Sequence, residues 1–202
     1  MKELYNIPIY VQGMVWDITA IHTGYPDFLN KNVRKNIFHR DENPFLSDVF
    51  KWVGSKKEQD YAIEEAGPCI IMATSGMMTG GSSVEYFKRL SDNPKNSILF
   101  VCYQGEGSLG RRIQSGEKEI LLANGKAEMF KINMEVNTIA GLTGHAGRNE
   151  LTRFVYNLDP KPKKIIVMHG ESSKCLGLAS SLHKLNRIET VAPKNLECVR
   201  LR

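Results

Sequence analysis

The stretch Cys69-Ile70-Ile71-Met72-Ala73-Thr74-Ser75-Gly76-Met77-Met78-Thr79-Gly80-Gly81-Ser82-Ser83-Val84-Glu85 decides the fold class. A short apolar run of strand length breaks abruptly into Thr, Ser and Gly, and a helical pattern follows. Ser82 and Glu85 have the spacing of a capping box, in which a hydroxyl and a carboxylate satisfy each other's backbone amides. That spacing predicts a helix from there to about Leu90. Two more segments share this grammar. Ile98 to Tyr103 runs into Gln104-Gly105-Glu106-Gly107-Ser108-Leu109-Gly110-Arg111, and Ile165-Ile166-Val167-Met168 stops at His169-Gly170-Glu171. Repeated strand, loop and helix signals argue an α/β layered fold with a mostly parallel sheet, whose binding groups collect at the carboxyl ends of strands.

Working outward, Ile7 to Val11 reads as a strand, and Met14 to about Phe38 as one or two helices broken at Gly24-Tyr25-Pro26. Leu151, Phe154, Val155 and Leu158 recur at helical spacing, so a helix beginning near Ala146 should bury one face and stop before Pro160. Cys175, Leu178, Ala179 and Leu182 repeat the rule. From Glu119 to Ala140 the pattern changes to short alternating runs around Asn124-Gly125, a hairpin turn signal. This antiparallel excursion marks an expected junction near Val136. Internal repeats and low-complexity tracts are absent from the sequence.

Composition narrows the class. The 202 residues are 42% hydrophobic and 24% charged, with a mean hydropathy of −0.30, as in a globular chain that buries a core. The longest apolar run, Ile98 to Tyr103, is far short of the ~20 residues that cross a bilayer. Met1 to Asn6 lacks the apolar centre of a secretion signal. A soluble, cytoplasmic protein with no membrane partner is therefore expected. Cys69, Cys102, Cys175 and Cys198 form no C-x-x-C pair, so free thiols and no structural zinc knuckle are expected. The net charge of +5 and the pI near 9.0 favour polyanionic partners, although ordinary solubility accounts for them equally. Basic and aromatic letters meet at Lys51-Trp52, with Lys56-Lys57 nearby, leaving room for base stacking or for plain core and rim.

Of the five histidines, two have distinctive settings. Thr143-Gly144-His145-Ala146-Gly147-Arg148 puts His145 just before a helix, where unpaired amides and the helix dipole attract phosphate. His169 directly closes a strand that reads as buried, and a neutral imidazole there can ligate a metal. A histidine beside glycine is also a common hydrogen-bonded turn residue, and that reading stays open. A strand-helix-strand crossover can bring both imidazoles to one rim. His22 reads as a core or boundary residue, and His39 and His183 as solvated. No H-x-H-x-D-H or H-E-x-x-H cluster is present, and one ligand cannot hold catalytic zinc, which takes about three protein groups plus water. Ala73 and Met77 stand where a serine nucleophile elbow has glycines. Gly105 to Gly110 fits the letters of G-x-G-x-x-G, yet Glu106 would set an anion beside a pyrophosphate.

Taken together, Ile7-Pro8-Ile9-Tyr10, Asn43-Pro44-Phe45-Leu46, Ala73 to Met77, Ser83-Val84-Glu85-Tyr86-Phe87, Gly110 to Gly116, Gly144-His145-Ala146 and Val167 to Glu171 carry a resemblance over essentially the whole chain. The sequence is similar to the metallo-β-lactamase/β-CASP nucleases, and most of all to archaeal homologues of the cleavage and polyadenylation specificity factor. The resemblance implies a Rossmann-like β-CASP domain over residues 1–135, with a mostly parallel sheet and helices on both faces. Residues 136–202 would be the C-terminal segment of a metallo-β-lactamase αββα domain. It implies a zinc-dependent ribonuclease in RNA 3′-end processing or transcription termination, working with two zinc ions in the complete protein. His145 would be the catalytic histidine beside the scissile phosphate and His169 a zinc ligand. Gly144, Ala146, Ser75 and Arg111 would hold RNA phosphate. The family's metal cluster belongs to a region N-terminal to these residues, so the chain is expected to be a fragment or truncated form, inactive alone. Gly147 stands where archaeal relatives commonly carry Asp. The alternatives are a non-catalytic RNA-binding scaffold of the same family and, more remotely, a Rossmann-like nucleotide-binding module. Archaeal relatives tend to dimerise through a tail that Cys198 to Arg202 would represent.

Overall fold

The computed structural model describes residues 7–124, 126–142 and 144–201. The chain divides into two compact units, Met1–Thr143 and Gly144–Arg202.

In the first unit, strand β1 (Ile9–Gln12) lies between β2 (Phe50–Val53) and β3 (Ile70–Ala73) and is parallel to both. Parallel neighbours need crossovers, and helices supply them. Helix α1 (Met14–Gly24) ends where expected, and Pro26 opens a 3-10 turn through Phe28. Helix α2 (Lys31–Arg40) starts at Asn30, whose Oδ1 accepts from the Asn32 and Val33 amides at 3.0 Å. Helix α3 (Lys56–Glu64) starts with a capping box: Ser55 Oγ accepts from the Glu58 amide and the Glu58 carboxylate accepts from the Ser55 amide. The central position of β1 explains why Tyr10 and Val11 are buried; Tyr10 packs with Val53 and Ala62.

Helix α4 (Ser82–Leu90) forms as the sequence predicts, but without the capping box assigned to Ser82 and Glu85. Gly81 occupies the cap position. The Ser82 and Ser83 hydroxyls instead donate backward, to the Thr74 carbonyl at 3.0 Å and the Ser75 carbonyl at 2.8 Å. The tertiary fold brings the end of β3 within reach, so both hydroxyls serve as straps rather than caps. Strand β4 (Ser97–Phe100) pairs in parallel with β7 (Glu135–Thr138), on which Val136 lies. Between them come helix α5 (Leu109–Gln114) and the antiparallel pair β5 (Glu119–Asn124) and β6 (Lys126–Lys131). Gly125 of the expected hairpin turn lies outside the described residues, as do Met1 to Asn6. Phe87, Phe100, Ile113, Ile120, Ile132 and Met134 form the main core of this unit.

The second unit is helix α6 (Arg148–Asn157), strand β8 (Lys164–Ile166), helix α7 (Ser172–Asn186) and strand β9 (Glu189–Val191), with β8 and β9 parallel. Val155, Val167, Ala179 and Leu182 make its core. Two expectations are corrected here. The apolar stripe of α6 is buried only at Val155; Leu151 is exposed and Phe154 is 63% exposed. The third strand is not a buried strand either: alternation turns Val167 inward while Ile166 is exposed and Met168 is 72% exposed. In both places helical or strand periodicity is present, but this unit has residues to cover one side only. Among the described residues no helix is long and apolar enough to cross a membrane.

Candidate nucleic-acid interface

Both candidate histidines fall in the second unit, each on the loop that leads into a helix. Gly144 to Gly147 precedes α6, which starts at Arg148, so His145 stands three residues before the helix rather than directly at its cap. Gly147 is the cap residue. Having no side chain, it offers no acceptor, and Glu150 supplies a side-chain bond there, its Oε2 accepting from the Gly147 amide at 2.6 Å. A carboxylate therefore occupies part of the anion-attracting helix terminus expected for RNA phosphate, next to Ala146. His169 and Gly170 follow β8 and precede α7. His169 is exposed and adopts φ 65°, a left-handed conformation uncommon for residues other than glycine but several-fold enriched in histidine. A Cβ on Gly170 would sit 3.1 Å from Cys175 Sγ, so that loop lies close on the first turn of α7.

Arg148 joins the start of α6 to the middle of α7. Its Nη2 donates to the Gly177 carbonyl at 2.9 Å and to Ser181 Oγ at 2.5 Å, fastening the first turn of α6 to α7. Neither Arg148 nor Glu150 stood out in the sequence. The Glu150 signal was present, an acid three residues after a cap position; Arg148 becomes legible only when α6 meets α7.

Ser75 and Arg111 lie in the first unit, Ser75 on the loop after β3 and Arg111 on the first turn of α5, which follows β4. Ser75 Oγ accepts from the Thr79 amide at 2.9 Å and lies 3.1 Å from Thr79 Oγ1, closing the loop on itself. Gly81, at φ 78°, closes it from the other end, since a Cβ there would fall 2.9 Å from the Thr74 carbonyl oxygen. Arg111 is exposed on the first turn of α5, whose cap is Ser108 Oγ accepting from the Arg111 amide. Between the Ser75 loop and α5 lies Gln104, whose Nε2 donates to the Gly76 carbonyl at 2.9 Å and the Cys102 carbonyl at 3.2 Å. In sequence it is a single polar letter closing the run Ile98 to Tyr103.

His22, expected at a core or boundary position, is exposed and stacks on Phe45 with ring centroids 5.3 Å apart, because the 3-10 turn Pro44–Leu46 packs on α1. His39 and His183 are exposed as well. Lys51 and Trp52 are both exposed on β2, and Trp52 stacks on Trp16 of α1 with ring centroids 6.1 Å apart.

Zinc can be tested against the side chains. Among the described residues no three His, Cys, Asp or Glu gather where they could hold a metal ion. A single imidazole is too few to hold zinc, so the described residues do not by themselves make a complete zinc site.

Residues 1–113 match the Beta-Casp domain model, and residues 129–193 match the Zn-dependent metallo-hydrolase RNA specificity domain. The transcription termination factor FttA of Methanocaldococcus jannaschii is 50% identical over 203 residues, covering 100% of this chain and 32% of the relative. The factor of the same name from Thermococcus kodakarensis is 52% identical over 199 residues, 98% of this chain and 31% of its own. That of Lokiarchaeum sp. is 45% identical over 199 residues, with the same coverage of 98% and 31%. The chain spans about a third of the length of these relatives. With parallel strands joined by helices, a Beta-Casp match over more than half its length and identities of this size, the chain belongs to the metallo-β-lactamase/β-CASP family.

Proposed function

We propose that this chain supplies the RNA-holding loops and two of the histidines of a zinc-dependent ribonuclease acting in RNA 3′-end processing or transcription termination. The observation that carries the reading is the pair of histidine loops, each leading into a helix, with Arg148 fastening one helix to the other. The names of the relatives, transcription termination factors, supply the biological setting, and the RNA specificity match spans both loops.

In this reading residues 1–135 act as the β-CASP domain and 136–202 as the C-terminal part of the lactamase-like domain. His145 orients the scissile phosphate and hands a proton to the leaving oxygen. Gly144 and Ala146 let the backbone approach the phosphate, while Ser75 and Arg111 hold RNA phosphates in the first unit. His169 contributes one metal ligand, and the others come from outside this chain.

The test is reconstitution. The 202 residues alone, with RNA and zinc, should give no EDTA-sensitive cleavage. Combined with a lactamase-like half bearing an H-x-H-x-D-H cluster, they should cleave RNA, and His145→Ala and His169→Ala should each abolish that activity. Robust cleavage by the 202 residues alone contradicts the assignment of the site. A second reading, a non-catalytic RNA-binding scaffold, draws on the absence of a three-ligand cluster among the described residues. It would be favoured if the reconstituted protein bound RNA, with a log-log salt slope of about 0.7 per phosphate contact, but neither histidine mattered.

A further inference from the structure

We propose that Gln104 is a positioning residue for RNA binding: its buried carboxamide clamps the loop that carries Ser75 to the helix start that carries Arg111. The proposal rests on reading Ser75 and Arg111 as phosphate contacts, and it assigns the element that fixes one relative to the other.

Glutamine is mostly a surface residue, yet Gln104 is only 2% exposed. Burial of a carboxamide is unfavourable unless its groups find partners. The amino end finds them on two segments, the Gly76 carbonyl in the loop after β3 and the Cys102 carbonyl just past β4. The oxygen end, Oε1, is buried and receives no hydrogen bond. It lies against Gly110 instead, where a Cβ would come within 1.8 Å of it. That leaves Oε1 facing the glycine Cα, a C–H···O contact that no other residue type permits. The opposite flank is also closed, since a Cβ on Gly76 would fall 2.7 Å from Cys102 Sγ. Ser75 and Arg111 are thus the chain neighbours of the two glycines gripped by one side chain. Phosphate contacts held at a fixed separation bind a strand without first ordering the loops.

The experiment measures the affinity of the full chain for a single-stranded oligouridine as a function of salt, beside thermal unfolding. Arg111→Ala should lower the log-log slope by about 0.7, the loss of one phosphate contact. Gln104→Leu removes the clamp without touching RNA and should lower the slope by a similar amount. Gly110→Ala should destabilise the fold by colliding with Oε1. The double variant Gln104→Ala/Gly110→Ala should recover stability relative to Gly110→Ala, because the added methyl takes the vacated space, while its slope stays low. A merely structural role predicts that slope and stability recover together, and that result overturns the proposal. So does a wild-type slope in Gln104→Leu when Arg111→Ala has lost a contact. If Arg111→Ala and Ser75→Ala both keep the wild-type slope, the phosphate reading itself fails, and the positioning role fails with it because nothing is positioned.

Discussion

Replacing Arg148 with Ala removes the link between the first turn of α6 and the middle of α7. Two charge-assisted hydrogen bonds are lost, to the Gly177 carbonyl at 2.9 Å and Ser181 Oγ at 2.5 Å. Shielded bonds of this kind contribute about 1.5–3 kcal/mol each, but Arg148 is exposed, so water competes for the guanidinium. Neither acceptor is stranded, because Ser181 Oγ also donates to the Gly177 carbonyl at 3.1 Å. The net cost is therefore about 1 kcal/mol, below that range because solvent screens the exposed guanidinium. For a unit the size of Gly144–Arg202 that corresponds to a melting shift of about 4–8 °C. Arg148→Lys, which lacks the two-pronged donor, should recover about half of the loss. The functional cost should exceed the thermal one, since displacing a reacting group by about 1 Å can lower a rate by 10²-fold. Differential scanning fluorimetry and RNA cleavage by the reconstituted protein measure the two effects. Unchanged melting in Arg148→Ala, or full cleavage by a variant that melts early, would refute the argument that Arg148 sets the geometry of the His145 loop.

Two further outcomes rest on other sites. Tyr86 is 5% exposed and its hydroxyl is buried without a hydrogen-bond partner, so Tyr86→Phe should raise stability by about 1 kcal/mol. Burial also pushes the Tyr86 hydroxyl up to about 12. The folded state keeps this proton after the unfolded chain releases it near pH 10, so wild-type stability falls as pH climbs from there toward 12. The advantage of the Phe variant in urea titrations should widen over that window; a variant less stable than wild type would show that the hydroxyl has a partner. At the α6 cap, Glu150→Gln keeps an acceptor for the Gly147 amide but removes a negative charge beside the His145 loop. RNA should bind a few-fold tighter at low salt, an effect of about 0.5–1 kcal/mol, and weaker binding by this variant would place the phosphate elsewhere.

Strands β1, β3, β4 and β8 and several helix boundaries were legible in the letters because they follow from local rules, whereas β2, β9 and α3 were not read, and β7, inside the stretch read as antiparallel, pairs in parallel with β4. Apolar runs of strand length, proline at Pro26 and the asparagine-glycine turn signal need no long-range partner to be read. The histidine loops were legible for the same reason, as short glycine-flanked stretches at strand or helix ends. Where local rules misled, a distant group had entered. Ser82 and Ser83 have the letters of a helix cap, yet the end of β3 offered carbonyls, and the hydroxyls turned to those. Ser55 and Glu58 have the same spacing with no such competitor, and there the box forms.

What the sequence settled by itself was the class of the fold, its family and the residue types available for chemistry, since periodicity, turn chemistry and matched motifs are all written along the chain. What only the tertiary structure decided was how those residues are held: Gln104 against Gly76 and Gly110, Arg148 across to α7, Glu150 over the Gly147 amide. Each of the first two joins segments far apart in sequence, and the third depends on where α6 begins. A polar side chain discloses its purpose only when folding removes water from it and dictates which partners remain.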